Sequence, residues 1–135
     1  MAYMKPLPPL EVWSRPFWDA CREQRLIAQR CDVSGEVFFP PAPVSPVTRT
    51  EQWSWVELSG LGTVWSWVIM HQRYFKGFAE DVPYNIAQVK LDEGPMLITN
   101  LVGIANGDIT ADMRVRVVFE PATDEFTIPK FTPVR

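Results

Sequence analysis

Short runs of alternating apolar and polar residues, separated by glycine or proline, are the feature that most restricts how this chain can fold. Two strand-like runs, WSWVELS and TVWSWVIM, meet at Gly60 and Gly62. In the second run Trp65 and Trp67 are two residues apart, and side chains at this spacing lie on the same face of a strand. We therefore expect one bent strand region with both tryptophans on one face.

Further strand-like runs follow, and together they predict a small barrel. NIAQVKL and MLITNLVG are separated by the turn DEGP, MRVRVVFE alternates cleanly, and the last run, FTIPKFTPV, contains prolines typical of an edge strand. The 13 prolines of the chain also disfavour long helices. Five strands in this pattern predict a mainly β fold with a five-stranded Greek-key barrel of the OB type.

The N-terminal part has a different pattern. Pro6, Pro8 and Pro9 predict an extended arm over residues 1–14. Pro16 then suits the first turn of a short helix that contains Phe17 and Cys21, and residues 26–30 read as a strand. We expect Cys21 to lie in the core on one face of this helix.

Charge and cysteine content narrow the class of protein. The chain has a formal net charge of −3, so it lacks the overall basic character of a general nucleic-acid binder. Its two cysteines cannot form the dense disulfide frame of a small secreted domain. Neither a leader sequence nor an apolar run long enough to span a bilayer is evident. We expect a cytoplasmic protein that does not enter a membrane.

Five segments, in order and with similar spacing, resemble family thirty-five of the domains of unknown function. They are FWDACREQRLIAQRCDVSG, FFPPAPVSP, WVELSGLGTVWSWVIMH, VPYNIAQVKLDEGPMLITNLVG and MRVRVVFE. The resemblance implies an N-terminal arm and helix in residues 1–30, a rubredoxin-like ribbon in residues 31–52 and an OB-fold in residues 53–135. It also implies a non-catalytic subunit of a hetero-oligomer, whose partner is a thiolase-like, hydratase-like or aldolase-like acyl-CoA enzyme. No cofactor of its own is expected, only contact with the coenzyme A of the partner's substrate.

The ribbon departs from the family at its metal site. Members carry two Cys-x-x-Cys pairs, and the matching positions here are Cys31, Ser34, Ser45 and Thr48. Hydroxyl groups stay protonated near neutral pH and are poor zinc ligands, so we predict a degenerate site without a structural metal. Cys31 is then a buried, unreactive remnant, with a reactive thiol as the alternative. Burial of aromatic residues and a set of prolines would replace the metal's contribution: Phe38, Phe39, Trp53, Pro40, Pro41, Pro43 and Pro46.

The segment that follows the tryptophan-rich strand is the predicted binding surface. The residues that we expect to contact a partner or its acyl-CoA are Trp65, Trp67, His71, Arg73, Tyr74, Phe75, Lys76 and Phe78. Aromatic residues mixed with arginine are typical of interface cores. The alternative is that Phe75 and Phe78 cap the barrel as part of its core. His71, the only histidine, is either structural or lies at the barrel mouth beside the partner's acyl-CoA.

Two further interpretations remain open. Arg22, Arg25 and Arg30 form a basic group that is either a solvated surface or a site for coenzyme A phosphates or acidic residues of a partner. A single-stranded nucleic-acid binding module is the alternative function, since OB barrels stack bases on aromatic residues. Enzyme activity is not expected, because the chain lacks motifs such as HExxH and GxSxG and has no evident pair of carboxylates.

Overall fold

The computed structural model describes residues 3–135, so the part of the predicted arm formed by residues 1–2 lies outside the described residues. The described chain has one α-helix followed by eight strands. In order they are α1 (Arg15–Arg22), β1 (Ile27–Cys31), β2 (Val37–Phe38), β3 (Trp53–Glu57), β4 (Leu61–Met70), β5 (Tyr84–Leu91), β6 (Met96–Thr99), β7 (Arg114–Pro121) and β8 (Thr127–Pro133). The predicted mainly β class with a short N-terminal helix is confirmed.

The larger sheet is antiparallel, has the strand order β6-β5-β4-β7-β8, and curls into the predicted OB-type barrel. The segment just after β6 reaches β8, where Leu101 forms a parallel bridge with Phe131. The backbone N–H of Val102 donates to the Phe131 carbonyl at 2.8 Å. Asn85 supports this seam, because its amide donates to the Leu101 carbonyl at 2.9 Å and accepts from the Leu101 N–H at 2.6 Å.

A β-bulge in β4 changes the predicted orientation of the tryptophans. The register between β4 and β5 shifts between Val64 and Ser66, which makes Trp65 the extra residue. Val64 is fully buried and Trp67 packs against the core, whereas Trp65 is 56% exposed. The prediction that Trp65 and Trp67 share one face is wrong, because the extra residue reverses the alternation between them.

The smaller sheet has the order β2-β1-β3 and forms the ribbon. Strand β1 pairs with β3 along its whole length, from Ile27 opposite Glu57 to Cys31 opposite Trp53. Our division of the chain placed β3 in the barrel segment, residues 53–135, whereas its hydrogen bonds go to β1. The division itself stays a prediction.

Helix α1 joins the ribbon and the barrel. It buries Phe17 and Cys21, as predicted for Cys21, and contacts β1, β7 and β8. The Phe17 ring lies 5.3 Å from the Phe39 ring of the ribbon, and the Trp18 ring lies 5.2 Å from the Phe126 ring beside β8. Among residues 3–135, no helix has the length and apolar character needed to cross a membrane.

Candidate functional site

The β1–β2 hairpin and the loop after it bring the four predicted metal-frame positions together. The Cys31 Sγ lies 3.6 Å from the Thr48 Oγ1 and accepts a hydrogen bond from the backbone N–H of Ser34 at 3.5 Å. The Ser45 hydroxyl accepts hydrogen bonds from the backbone N–H groups of Val47 and Thr48 at 3.2 and 3.4 Å. Backbone N–H groups thus turn towards Cys31 and Ser45 in two knuckles.

The chemistry of these side chains does not fit a structural zinc ion. Zinc ribbons close a tetrahedron with thiolate or imidazole ligands, and here one thiol faces three hydroxyl groups that do not ionise near neutral pH. Within residues 3–135, no three His, Cys, Asp or Glu side chains are grouped in a way that could hold a metal ion. The metal-free ribbon remains a prediction, and it is supported by the donor set.

The two buried cysteines are in opposite electrostatic environments. Hydrogen bonds from the Ser34 and Ser45 side chains, with a smaller contribution from Thr48, outweigh burial and lower the pKa of Cys31 to about 6. Burial alone raises the pKa of Cys21 to about 12. Both side chains have no exposed surface. Cys21 is therefore an inert core residue, whereas hydrogen bonds to the sulfur lower the pKa of the equally buried Cys31 thiol.

Gln29 is the residue that attaches the ribbon loop to β1, and the sequence pattern gave no sign of it. Its side chain is fully buried. The Gln29 amide donates to the Ala42 carbonyl at 2.7 Å, and its oxygen accepts from the Ala42 N–H at 2.8 Å. This paired contact resembles one rung of a β-ladder and holds the proline-rich loop on β1.

The aromatic residues predicted to hold the ribbon are in contact with their surroundings. Phe38 is buried, and Phe39 packs against Phe17 of α1. The Trp53 indole N–H donates to the Pro43 carbonyl at 3.0 Å, and the Trp53 ring packs edge-on against Trp55 at 5.5 Å. These contacts attach the ribbon loop to α1 and β3, and their replacement of a metal's contribution stays a prediction.

Residues 71–83, which we call the aromatic loop, connect β4 and β5 at one end of the barrel. Five predicted site residues on it are exposed: His71, Arg73, Tyr74, Phe75 and Lys76. Tyr74 is 68% exposed and Phe75 is 56% exposed. Phe78 is half-buried, and its ring stacks on Tyr84 at 4.9 Å. Phe75 is exposed, so the alternative in which it caps the barrel as part of the core is wrong for that residue. Phe78 is half-buried against Tyr84, and whether it caps the barrel stays a prediction.

The two tryptophans of the predicted surface are in different environments. Trp65 is exposed on the outside of β4, where the Lys90 ammonium lies 5.7 Å from the centre of its ring. Trp67 faces the core. Of the eight residues predicted to form the binding surface, six lie on the aromatic loop, and the surface itself stays a prediction.

The structure has a second apolar surface that the sequence did not indicate. A groove of about 460 Å³ lies between the arm, α1, the ribbon loop and the barrel. The residues that line it include Trp13, Trp18, Phe39, Pro41, Ile98 and Pro129. Four separate segments contribute to this groove, so no single stretch of sequence could indicate it.

The predicted basic group is largely neutralised. Arg22 forms a salt bridge with Asp19 at 2.7 Å, and Arg25 contacts Glu23 and Glu57 at 3.1 Å each. The guanidinium groups of these two arginines therefore already have carboxylate partners, which supports the solvated-surface interpretation over a phosphate site. The alternative of a nucleic-acid binding module stays a prediction.

Comparison with known proteins matches both parts of the chain. The family model described as "ChsH2, rubredoxin-like zinc ribbon domain" matches residues 18–44, and the one described as "ChsH2, C-terminal OB-fold domain" matches residues 55–120. The solved structure titled "Ltp2-ChsH2(DUF35) aldolase" is 35% identical in sequence, with a TM-score of 0.83 over 94% of this chain and 98% of the other.

Two relatives show the extent of the similarity. A "Probable enoyl-CoA hydratase alpha subunit" of Thermomonospora curvata is 35% identical over 96% of this chain, which spans only 40% of that relative's length. A "DUF35 domain-containing scaffold protein" of Pyrococcus furiosus is 32% identical over 76% of this chain and 74% of its own length. Together with the matched ribbon and OB-fold domains, these similarities show that the chain belongs to the DUF35 family.

Proposed function

We propose that this chain is a non-catalytic subunit that binds an acyl-CoA enzyme of the hydratase or aldolase type, with the aromatic loop as part of the docking surface. The observation that carries the proposal is the exposure of Tyr74 and Phe75 on a loop that also carries Arg73 and Lys76. Aromatic residues and arginine are enriched in interface cores, and burial of apolar surface contributes about 25 cal/mol per Å².

The class of partner comes from the relatives. One is named as a hydratase subunit, one as a scaffold protein and one as part of an aldolase. None of these three is named as a thiolase, so a thiolase-like partner stays a prediction. Catalysis belongs to the partner in this proposal, because the sequence lacks the usual catalytic motifs. We place the complex in the cytoplasm.

Contact with coenzyme A is the second element of the proposal. His71, Arg73 and Lys76 are exposed on the loop. Neither Arg73 nor Lys76 forms a salt bridge with another residue of the described range 3–135. Guanidinium and ammonium groups bind phosphate through charge-assisted hydrogen bonds. The loop can therefore contact the nucleotide part of an acyl-CoA held by the partner.

Co-expression with an acyl-CoA hydratase or aldolase encoded beside this chain tests the docking surface. We expect a complex that co-elutes in size-exclusion chromatography, and a loss of partner binding in the double variant Tyr74→Ser/Phe75→Ser. The matched control is Val12→Ser/Val134→Ser, which also replaces two exposed apolar side chains, 88% and 45% exposed, away from the loop. The absence of a complex with wild-type protein would refute the proposal, as would equal binding by both double variants.

A further inference from the structure

We propose that the N-terminal arm is a positioning element of the docking surface: residues 3–6 hold the aromatic loop in the conformation that presents Tyr74 and Phe75. The part of this inference that concerns partner binding rests on the proposed function. The part that concerns the loop itself is a property of the free chain and can be measured without a partner.

Gly77 shows how closely the arm and the loop approach each other. A Cβ atom at this position would lie 2.6 Å from the carbonyl carbon of Met4 and 2.8 Å from the nitrogen of Lys5. These are backbone atoms that cannot rotate away, so any side chain at residue 77 would displace the arm from the loop. The loop thus has a glycine where the arm crosses it.

Lys5 links the arm to the loop by charge. Its ammonium group forms a salt bridge with Asp81 and lies 5.3 Å from the centre of the Phe78 ring. The Lys5 side chain is only 21% exposed, and the hydrogen bond with Asp81 raises its pKa above the usual value. One side chain of the arm therefore contacts both a carboxylate and an aromatic ring of the loop.

The contacts continue from the arm to the exposed aromatic residues. Phe78, which Lys5 covers, stacks on Tyr84 at the start of β5 and lies 6.5 Å from the Phe75 ring. Phe75 therefore packs against Phe78, which the arm contacts on one side and the barrel on another. Removal of the arm contact would take away one of those two supports.

A cavity beneath the aromatic loop leaves the loop with few supports other than the arm. About 500 Å³ lies between the arm, the loop and the barrel seam, lined by Tyr3, Lys5, Phe78, Asp81 and Tyr84 among others. The loop consequently has open space rather than packed core beneath part of its length. A loop that is ordered before binding loses less conformational entropy when a partner covers it.

Hydrogen exchange on the free protein tests the contact. We expect the amides of residues 71–83 in Gly77→Ala to exchange about tenfold faster than in wild type, which corresponds to about 1.4 kcal/mol of local opening. The matched control is Gly107→Ala. Gly107 is also the central residue of a three-residue 3-10 turn, has no atom within 4 Å of an added Cβ, and like Gly77 has no positive φ. Unchanged exchange in Gly77→Ala would overturn the inference.

Exchanging the charges of Lys5 and Asp81 distinguishes an effect on the position of the aromatic loop from an effect on the stability of the whole chain. Lys5→Asp should accelerate exchange in the loop, and Lys5→Asp/Asp81→Lys should restore slow exchange if the two side chains act as a pair. Failure of the double variant to restore protection, with both variants folded, would count against the contact.

Partner binding gives the last readout. In the co-expressed complex, Gly77→Ala should bind the partner about tenfold more weakly than Gly107→Ala does. Faster exchange with unchanged affinity would overturn the role of the arm in docking. If wild-type protein binds no partner, the proposed function fails, whereas the exchange data still decide whether the arm orders the loop.

Discussion

The sulfur of Cys31 lies 3.6 Å from the hydroxyl oxygen of Thr48, so two residues of the metal frame face each other at close range without the chemistry to share a metal. The backbone of the frame has kept its turns while three of its four side chains are hydroxyls. Whether the backbone of the frame can still hold a metal can be tested by replacing its hydroxyl side chains with thiols.

Restoring the ligands should restore metal binding. The triple variant Ser34→Cys/Ser45→Cys/Thr48→Cys provides four thiols at the knuckle positions, and four thiolates complete a tetrahedral zinc site. We expect one zinc per chain, removable by a chelator, in the variant and well under one in wild type, measured by inductively coupled plasma mass spectrometry. Stoichiometric, chelator-sensitive zinc in the wild-type protein would contradict the metal-free ribbon.

The stability of the fold should depend on pH through Cys31. Its pKa is lowered from an ordinary value near 9 to about 6 in the folded chain. Between these values the unfolded chain holds a proton that the folded chain lacks, so stability rises with pH from about 6 to about 9 and is lost as the pH falls towards 6.

Thermal unfolding at a series of pH values checks this slope. Cys31→Ser removes the titrating group, so its melting temperature should depend less on pH in this range than that of wild type. Cys21→Ser is the comparison, because the pKa of Cys21 is raised and its thiol stays protonated across the same range. Identical slopes for wild type and Cys31→Ser would contradict the lowered pKa.

Gln29 should be essential to the ribbon. In Gln29→Leu the N–H and carbonyl of Ala42 lose both partners inside the protein. Ala42 is half-buried, so we expect a loss of about 1–2 kcal/mol in the free energy of unfolding. Urea denaturation should show a lower midpoint. Gln52→Leu, a change at an exposed glutamine, should have little effect, and an equal loss in both variants would show that the paired contact is unimportant.

The β-bulge predicts different outcomes for two tryptophans of the same motif. Trp67→Ala should destabilise the chain by about 3 kcal/mol, since Trp67 packs against the core. Trp65→Ala should change stability by less than about 1 kcal/mol, because Trp65 is 56% exposed. Chemical denaturation of both variants measures the difference, and equal losses would be inconsistent with the bulge.

The sequence predicted those parts of the fold that depend on local pattern. Strict alternation in β7 and the turns between β5 and β6 indicated the barrel, and Pro16 indicated the start of α1. The orientation of Trp65 could not be predicted in this way, since one extra residue in β4 reverses the faces and leaves no mark in the composition.

In the candidate site, too, the residues that could be predicted are those that are close together in the sequence. The aromatic loop is a continuous segment, so its residues could be identified together. Gln29 and the apolar groove depend on contacts between segments that are distant in sequence, such as Gln29 with Ala42 and Trp18 with Phe126. These contacts follow from the tertiary structure and not from any periodicity.

The position of α1 has a consequence for the order of events during synthesis. Arg15–Arg22 leaves the ribosome before β7 and β8, which are made about a hundred residues later and against which the helix packs. The part of its apolar face that packs beside β8, including Trp18, must therefore wait for the end of the barrel. A nascent chain stalled before β8 would expose that face, which makes α1 the segment where a chaperone would be expected to bind.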